Sequence, residues 1–251
     1  MLTQAIWWST IILEVVILVR VSSESLYRKF PIFCSYLVYV LLEEVTRFVV
    51  FHWWPGIYPD LYWDSQFVGV LVGCGVIFEI YRVGLKEFPG TARMARNLLL
   101  FVFAMVFAKA LVTSPGAWWS GLTAVKLERD LRIVQSGALL ALVAVLLLYA
   151  IPLGNNLKGI TMGYGIFLGA SVLELTLMIR LGDGPPALWA YLRSAAYLAV
   201  LLIWLLNLWS YRDAPKPSRA ITLDEDYNML VANTRRRLQK TRLALGKVVR
   251  P

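Results

Sequence analysis

The stretch Pro31 to Phe51, PIFCSYLVYVLLEEVTRFVVF, has the length of a membrane-spanning helix but carries three charged residues. A helix that crosses the hydrocarbon core of a bilayer needs roughly 20 predominantly apolar residues. Glu43, Glu44 and Arg47 interrupt the second half of this stretch, where a helix that contacts only lipid would carry no charge. The stretch therefore predicts a transmembrane helix whose charged side is covered by other helices.

The composition extends this prediction to the whole chain. Of its 251 residues, 59% are hydrophobic and only 16% are charged, whereas about 25% of the residues in soluble domains are charged. The fold class predicted is an all-α polytopic membrane protein, a bundle of seven transmembrane helices within residues 1–211. The predicted spans are about 3–19, 31–51, 62–81, 98–112, 131–151, 159–179 and 188–209.

The distribution of Lys and Arg predicts the orientation. Most of the 25 basic residues fall after spans one and three and in the tail. Because cytoplasmic loops carry an excess of Lys and Arg, the N-terminus is expected outside and the C-terminus inside. This rule accounts for most of the net charge of +9, so no nucleic-acid partner is predicted. The expected location is the bacterial cytoplasmic (inner) membrane, as an integral multi-pass protein.

Residues 212–251 form a basic cytoplasmic tail. Thr222 and Glu225 have the spacing of a capping box, in which the two side chains satisfy the first backbone amides of a helix. An amphipathic helix is predicted over about 222–249. It would lie on the anionic inner leaflet of the lipid bilayer or dock to a cytoplasmic protein.

Polar residues inside the predicted spans are the candidate site. A charged side chain at the centre of a span costs roughly 2.5–3.5 kcal/mol on insertion scales, so it indicates a function by default. Nearly all of these residues share one depth in the outer half of the membrane. The predicted ligand-binding or charge network comprises Glu14, Glu43, Glu44, Arg47, Asp64, Lys109, Gln135, Glu174 and Arg193, with Arg132 at the same level.

Two interpretations of this network remain open. One is a hydrated cavity open to the outside and rimmed by Trp53, Trp63, Trp118 and Trp189; the other is an ion-pair network that only fixes helix packing. Arg47 can face only part of the acidic charge of Glu43 and Glu44. Either another helix supplies the remaining positive charge, with Lys109 and Arg193 as the candidates, or one of the two glutamates stays protonated.

The inner half of the bundle is predicted to serve packing. Glu79 and Arg82 have i,i+3 spacing and are expected to form a pair that reaches the membrane interface. Small residues at spacings of four allow close approach of helices. The glycines predicted to pack in this way, within one chain, in a homo-oligomer or against membrane-protein partners, are Gly69, Gly73, Gly159, Gly163, Gly165 and Gly169.

Several chemistries are excluded by what the chain lacks. The single histidine, His52, rules out haem ligation by two histidines and a zinc site of the HExxH type. The size and the predicted N-outside, seven-helix topology resemble those of microbial rhodopsins, in which a retinal Schiff base needs a lysine in span seven, but residues 188–209 contain none. No phosphate-binding loop or nucleophile elbow is present. No catalytic residue, metal site or cofactor is therefore predicted.

The sequence thus predicts a non-enzymatic integral membrane protein. It would be a seven-helix receptor, sensor or transporter that binds a small polar or charged ligand in a cavity open to the outer side. The alternative is an accessory or structural subunit of a larger membrane complex, which would use the glycine faces and the tail as contacts.

Overall fold

A computed structural model of the chain describes residues 2–24, 26–113, 121–148, 151, 153–181, 186–209, 228–237 and 239. Within these residues the chain is all-helical, without strands. The long helices are α1 (Leu2–Ser23), α2 (Pro31–Trp53), α3 (Tyr58–Gly84), α4 (Pro89–Thr113), α5 (Gly121–Leu148), α6 (Asn155–Leu181) and α7 (Pro186–Leu208). Two 3-10 turns, Leu26–Arg28 and Pro55–Ile57, precede α2 and α3.

Each predicted span coincides with one helix, but several predicted boundaries were wrong. Helix α4 begins at Pro89 rather than near residue 98, and α5 begins at Gly121 rather than near residue 131. The prediction followed apolarity, whereas a helix continues through charged residues because Arg, Lys and Glu are good helix formers. The basic residues before span four and the mixed charges before span five therefore belong to helices.

Three helices are long and apolar enough to cross a membrane, counted over the described residues: Pro55–Gly84, Lys126–Leu148 and Asn155–Arg180. Ser194–Leu208 is a shorter apolar helix. Helix α2 differs from these because any 18 consecutive residues of it include Glu43, Glu44 and Arg47. The chain has the composition of an integral membrane protein, and the charges of α2 lie in the middle of the helix rather than at its ends.

Six of the long helices form a closed ring. In the described part of the chain, α1 contacts α2, α2 contacts α3, α3 contacts α5, α5 contacts α6, α6 contacts α7, and α7 returns to α1. Helix α3 also reaches α6 across the ring, whereas α4 contacts only α3 and α5. The sequence of contacts therefore places α4 outside the ring.

The first and the last of the seven long helices, α1 and α7, pack against each other. Arg20 Nε donates a hydrogen bond of 2.6 Å to the backbone oxygen of Trp209, and its guanidinium lies 5.0 Å from the centre of the indole ring. Farther along the same two helices, the Tyr197 hydroxyl donates a hydrogen bond to Glu14. These contacts close the ring between residues that are far apart in sequence.

Aromatic side chains fill the middle of the ring. Trp204 and Tyr164 are fully buried. The ring of Trp204 meets Phe33 edge-on with centroids 5.0 Å apart, and Tyr164 meets Tyr36 edge-on at 5.8 Å. Edge-to-face pairs of this kind add about 0.5–1.5 kcal/mol to the effect of burial. This core holds α2, α6 and α7 together.

Glycines make room for these large side chains. A Cβ atom on Gly163 would overlap the Trp204 indole, and one on Gly73 would overlap the Tyr164 hydroxyl. Three further glycines of the predicted packing set lie against neighbouring side chains: Gly69 against Tyr39, Gly159 against Asn207, and Gly165 against Leu139. A Cβ atom on Gly169 would have nothing within 4 Å.

The carboxylate of Glu79 caps the first turn of α2. Its two oxygens accept hydrogen bonds from the backbone amides of Ile32 (3.1 Å) and Phe33 (2.7 Å), and Phe30 at the N-cap makes no side-chain capping bond. The predicted pairing with Arg82 is present at 3.2 Å. The expectation that both residues reach the interface was wrong for Glu79, which is 1% exposed, because it satisfies amides of another helix.

Part of the tail is helical. Residues 228–237 form a helix, and Met229 and Leu230 within it are exposed. The remainder of the helix predicted over about 222–249, apart from residue 239, lies outside the described residues.

Candidate functional site

A cavity of about 1100 Å³ lies inside one end of the ring. Its described lining comes from α1, α2, α3, α5, α6 and α7, and includes the end of α2 and the beginning of α3. This end is the one that the distribution of basic residues predicts to face outward. Aromatic side chains make up much of the wall, among them Trp8, Phe48, Tyr58, Phe167 and Tyr197. The cavity is therefore a mostly apolar chamber into which a few charged side chains project.

Arg47 of α2 is held in the wall by an array of acceptors. It forms an ion pair with Glu43, one turn earlier in the same helix. Its Nη2 atom donates to Ser65 Oγ (2.9 Å), to the Tyr62 backbone oxygen (3.2 Å) and to Gln66 Oε1 (3.0 Å). The guanidinium also lies 4.3 Å from the centre of the Tyr62 ring. The charge of Arg47 is thus matched by a carboxylate, and its donors are used by α3.

Arg132 of α5 is matched in the same way. Its Nε atom donates to Glu128 Oε1 at 2.9 Å, and its guanidinium lies 4.8 Å from the centre of the Phe167 ring. Gln66 donates from Nε2 to the same Glu128 oxygen at 2.6 Å, and its own oxygen accepts from Arg47. A polar chain therefore links the two arginines across α2, α3 and α5.

The carboxyl group of Glu44 has an oxygen without a hydrogen-bond partner among the described residues. Glu44 lines the cavity beside Glu43, yet this oxygen, Oε2, is inaccessible to solvent. Glu174 of α6 brings a third carboxyl group to the lining. Arg47 and Arg132 already have carboxylate partners, Glu43 and Glu128.

Glu14 of α1 lies behind the wall of the cavity. Its side chain is fully buried, and one oxygen accepts the hydrogen bond from the Tyr197 hydroxyl. The other oxygen, Oε2, has no partner in the described part of the chain. Tyr197 itself lines the cavity, so this carboxyl group is one side chain away from whatever occupies the chamber.

The structure brings together some of the predicted site residues and separates others. Glu43, Glu44, Arg47 and Glu174 share the cavity lining. Glu14, Asp64 and Gln135 do not line it: Asp64 is exposed, and the buried Gln135 donates from Nε2 to the Val70 oxygen at 2.9 Å and to Cys74 Sγ at 3.1 Å.

Other predicted residues do not join the site or cannot be placed. Trp53, expected at the rim, is 64% exposed and is not part of the lining. The remaining predictions concern side chains that lie outside the described residues: Lys109, Arg193, Trp63, Trp118 and Trp189.

Sequence reasoning missed the partners of Arg132. Glu128 was assigned to an outer loop because span five was expected to begin near residue 131, whereas α5 already includes it. The i,i+4 spacing of Glu128 and Arg132 was the available signal, since residues four apart share one face of a helix. Gln66 could not be found in this way, because its contacts depend on how α3 packs on α5.

The described residues contain no group of three or more His, Cys, Asp or Glu side chains placed to hold a metal ion. Comparisons with family models, with curated proteins and with solved structures found no match for this chain. Function is therefore argued from the cavity and its charges.

Proposed function

We propose that this chain is a seven-span protein of the bacterial cytoplasmic membrane, with its N-terminus outside and its C-terminus inside. It binds a small polar or charged ligand in the outer-side cavity and acts as a receptor or transporter rather than as an enzyme. The observation that carries this proposal is the cavity of about 1100 Å³ to which six helices contribute. Ligand sites are typically apolar chambers of about 300–1,000 Å³ with a few oriented polar groups.

The lengths and faces of the helices support seven spans. The shortest of the seven, α1, has 22 residues and the longest, α5, has 28, and roughly 20 are needed to cross a bilayer. Ionisable groups such as Glu14 and Arg132 are buried within the ring, whereas Leu140, Leu147 and Leu206 are at least 70% exposed. Charges inside and leucines outside are what a hydrocarbon solvent favours.

The position of the cavity supports a receptor or transporter. A ligand in this cavity would contact six helices. If these helices have two arrangements, the ligand shifts the equilibrium between them by the difference in its affinity for the two. The cavity reaches Glu14 through Tyr197, and the same α1–α7 contact continues to Arg20 and Trp209 at the other end. This helix pair is the route by which the proposed receptor or transporter would link the chamber to the other end of the bundle.

The alternative function, an accessory subunit, has one observation in its favour. Helix α4 lies outside the ring and exposes Leu98, Phe101 and Met105. Exposed apolar surface of this kind marks contact with lipid or with another protein. A partner that packs on α4 would leave the cavity in place.

Native mass spectrometry of the full chain, extracted gently from its own membranes, tests the proposal. We expect one chain or a small multiple of it to carry a bound non-lipid small molecule. The matched variants are Ala170→Trp, which puts a large side chain into the cavity wall, and Ala104→Trp, at an exposed site of α4. The first should lose the molecule and the second should keep it. Stoichiometric foreign polypeptides without a small molecule would replace this proposal by the subunit alternative.

A further inference from the structure

We infer that the ligand is an organic cation with a bulky apolar body, bound by the Glu44 carboxylate and by the aromatic wall. This inference rests on the proposed function, because it names the ligand class of the same cavity. It follows from three features of the site: arginines that are already paired, a carboxyl group that is not, and rings that surround the remaining space.

The two arginines of the lining already have carboxylate partners. Arg47 has Glu43, three oxygen acceptors and the Tyr62 ring. Arg132 has Glu128 and the Phe167 ring, and its side chain is 5% exposed. An anion at either guanidinium would compete with a carboxylate that is already bound to it, since a guanidinium binds carboxylate and phosphate in the same way.

Glu44 supplies the complementary group. Its Oε2 atom has no hydrogen-bond donor among the described residues, and Glu43 is the preceding residue of the same helix. A buried carboxylate without a partner is costly, and a cation beside it removes that cost. An anion at this position would instead lie beside the carboxyl groups of Glu43 and Glu44, which are neighbours in one helix.

The rest of the lining indicates the body of the ligand. Phe48, Tyr58 and Trp8 line the same chamber as Glu44. Aromatic faces attract cations, most strongly where water is excluded. The chamber is also far larger than a metal ion or a simple ammonium ion requires. A cationic group that carries rings or branched hydrocarbon satisfies both the charge and the volume.

Tetraphenylphosphonium and tetraphenylborate test the inference, because the two ions have the same shape and opposite charge. Equilibrium dialysis of each radiolabelled ion would use the full chain in lipid nanodiscs, with empty nanodiscs subtracted. We expect saturable binding of tetraphenylphosphonium that Ala170→Trp removes. Tetraphenylborate should show no saturable uptake beyond that of empty nanodiscs. Glu44→Gln should weaken the binding of tetraphenylphosphonium by roughly tenfold or more.

Asp60→Asn is the matched control for Glu44→Gln. Asp60 is exposed in the first turn of α3 and does not line the cavity, so this change removes the same charge near the same end of the bundle. Binding should change by less than roughly twofold, because exposed charges are screened by salt. If Asp60→Asn weakened binding as much as Glu44→Gln, the attraction would be a surface effect and the inference would be overturned.

The failure of this inference and the failure of the proposed function give different results. If tetraphenylborate bound saturably and Ala170→Trp removed this binding, the cavity would still be a ligand site, but the inference that its ligand is a cation would be refuted. If neither ion bound saturably, that inference would also be refuted. The native mass spectra would then decide separately whether the chain carries a ligand. If Glu44→Gln did not fold, the comparison of the two ions on the unmodified chain would still decide.

Discussion

Replacing Glu79 by glutamine should destabilise the protein although it removes no bulk. The carboxylate accepts hydrogen bonds from the amides of Ile32 and Phe33 at 3.1 and 2.7 Å. The side-chain amide of glutamine has one acceptor oxygen, and its NH₂ group would face the second backbone donor. One charge-assisted hydrogen bond is lost and a buried N–H group is left without an acceptor. Hydrogen bonds to charged groups contribute about 1.5–3 kcal/mol.

We therefore expect Glu79→Gln to lower the free energy of unfolding by about 1.5–3 kcal/mol. Arg82→Gln should lower it by less than about 1 kcal/mol, because the Arg82 side chain is 54% exposed and exposed ion pairs contribute little. The assay is unfolding of the full chain in bicelles by titration with a denaturing detergent, followed by tryptophan fluorescence.

Glu24→Gln is the matched control. Glu24 is also near the end of the bundle predicted to lie inside, and it forms an ion pair of 3.0 Å with Arg20 at about one-third exposure. Its loss should have an effect below about 1 kcal/mol. If Glu79→Gln and Glu24→Gln shifted the unfolding free energy equally, or if Arg82→Gln had the larger effect, the assignment of Glu79 as the cap of α2 would be refuted.

Three further predictions use the same unfolding assay. Gly163→Ala should cost about 1–3 kcal/mol because its methyl group overlaps an indole ring, whereas Gly169→Ala should be neutral; equal effects would contradict the packing argument. Arg132→Met should cost about 3–5 kcal/mol by leaving the buried Glu128 with Gln66 but without its cationic partner, and a neutral result would contradict the burial of this pair. Tyr197→Phe should cost about 1–2 kcal/mol through the loss of its hydrogen bond to a buried carboxyl group, and an unchanged midpoint would disprove that contact.

The existence of the long helices could be predicted from the sequence, but their lengths could not. Each of the seven long helices contains one of the apolar runs of the sequence. These runs do not indicate where a helix ends, because Arg93 and Arg96 continue α4 and Glu128 continues α5 without a change in backbone conformation. The error at α5 had a consequence for the site, since it placed Glu128 in a loop.

Part of the site was predictable for a local reason. The pairing of Glu43 with Arg47 depends only on the geometry of one helix, and the structure contains it. The contacts of Gln66 and Tyr197 depend on which helices are neighbours in the ring. The periodicity of α3 and α5 does not show that these two helices are neighbours in the ring. The contacts of Gln66 and Tyr197 could therefore not be predicted from the sequence.

The contact between α1 and α7 has a consequence for the synthesis of the protein. Glu14 and its partner Tyr197 are 183 residues apart, and ribosomes add about 5–20 residues per second. The carboxyl group of the first helix to be made therefore waits roughly 10–40 seconds for its partner. The cavity cannot be complete before α7 has been made, because α7 contributes to its lining. A chain that ended before Tyr197 would leave the Glu14 carboxyl group without this hydrogen-bond partner.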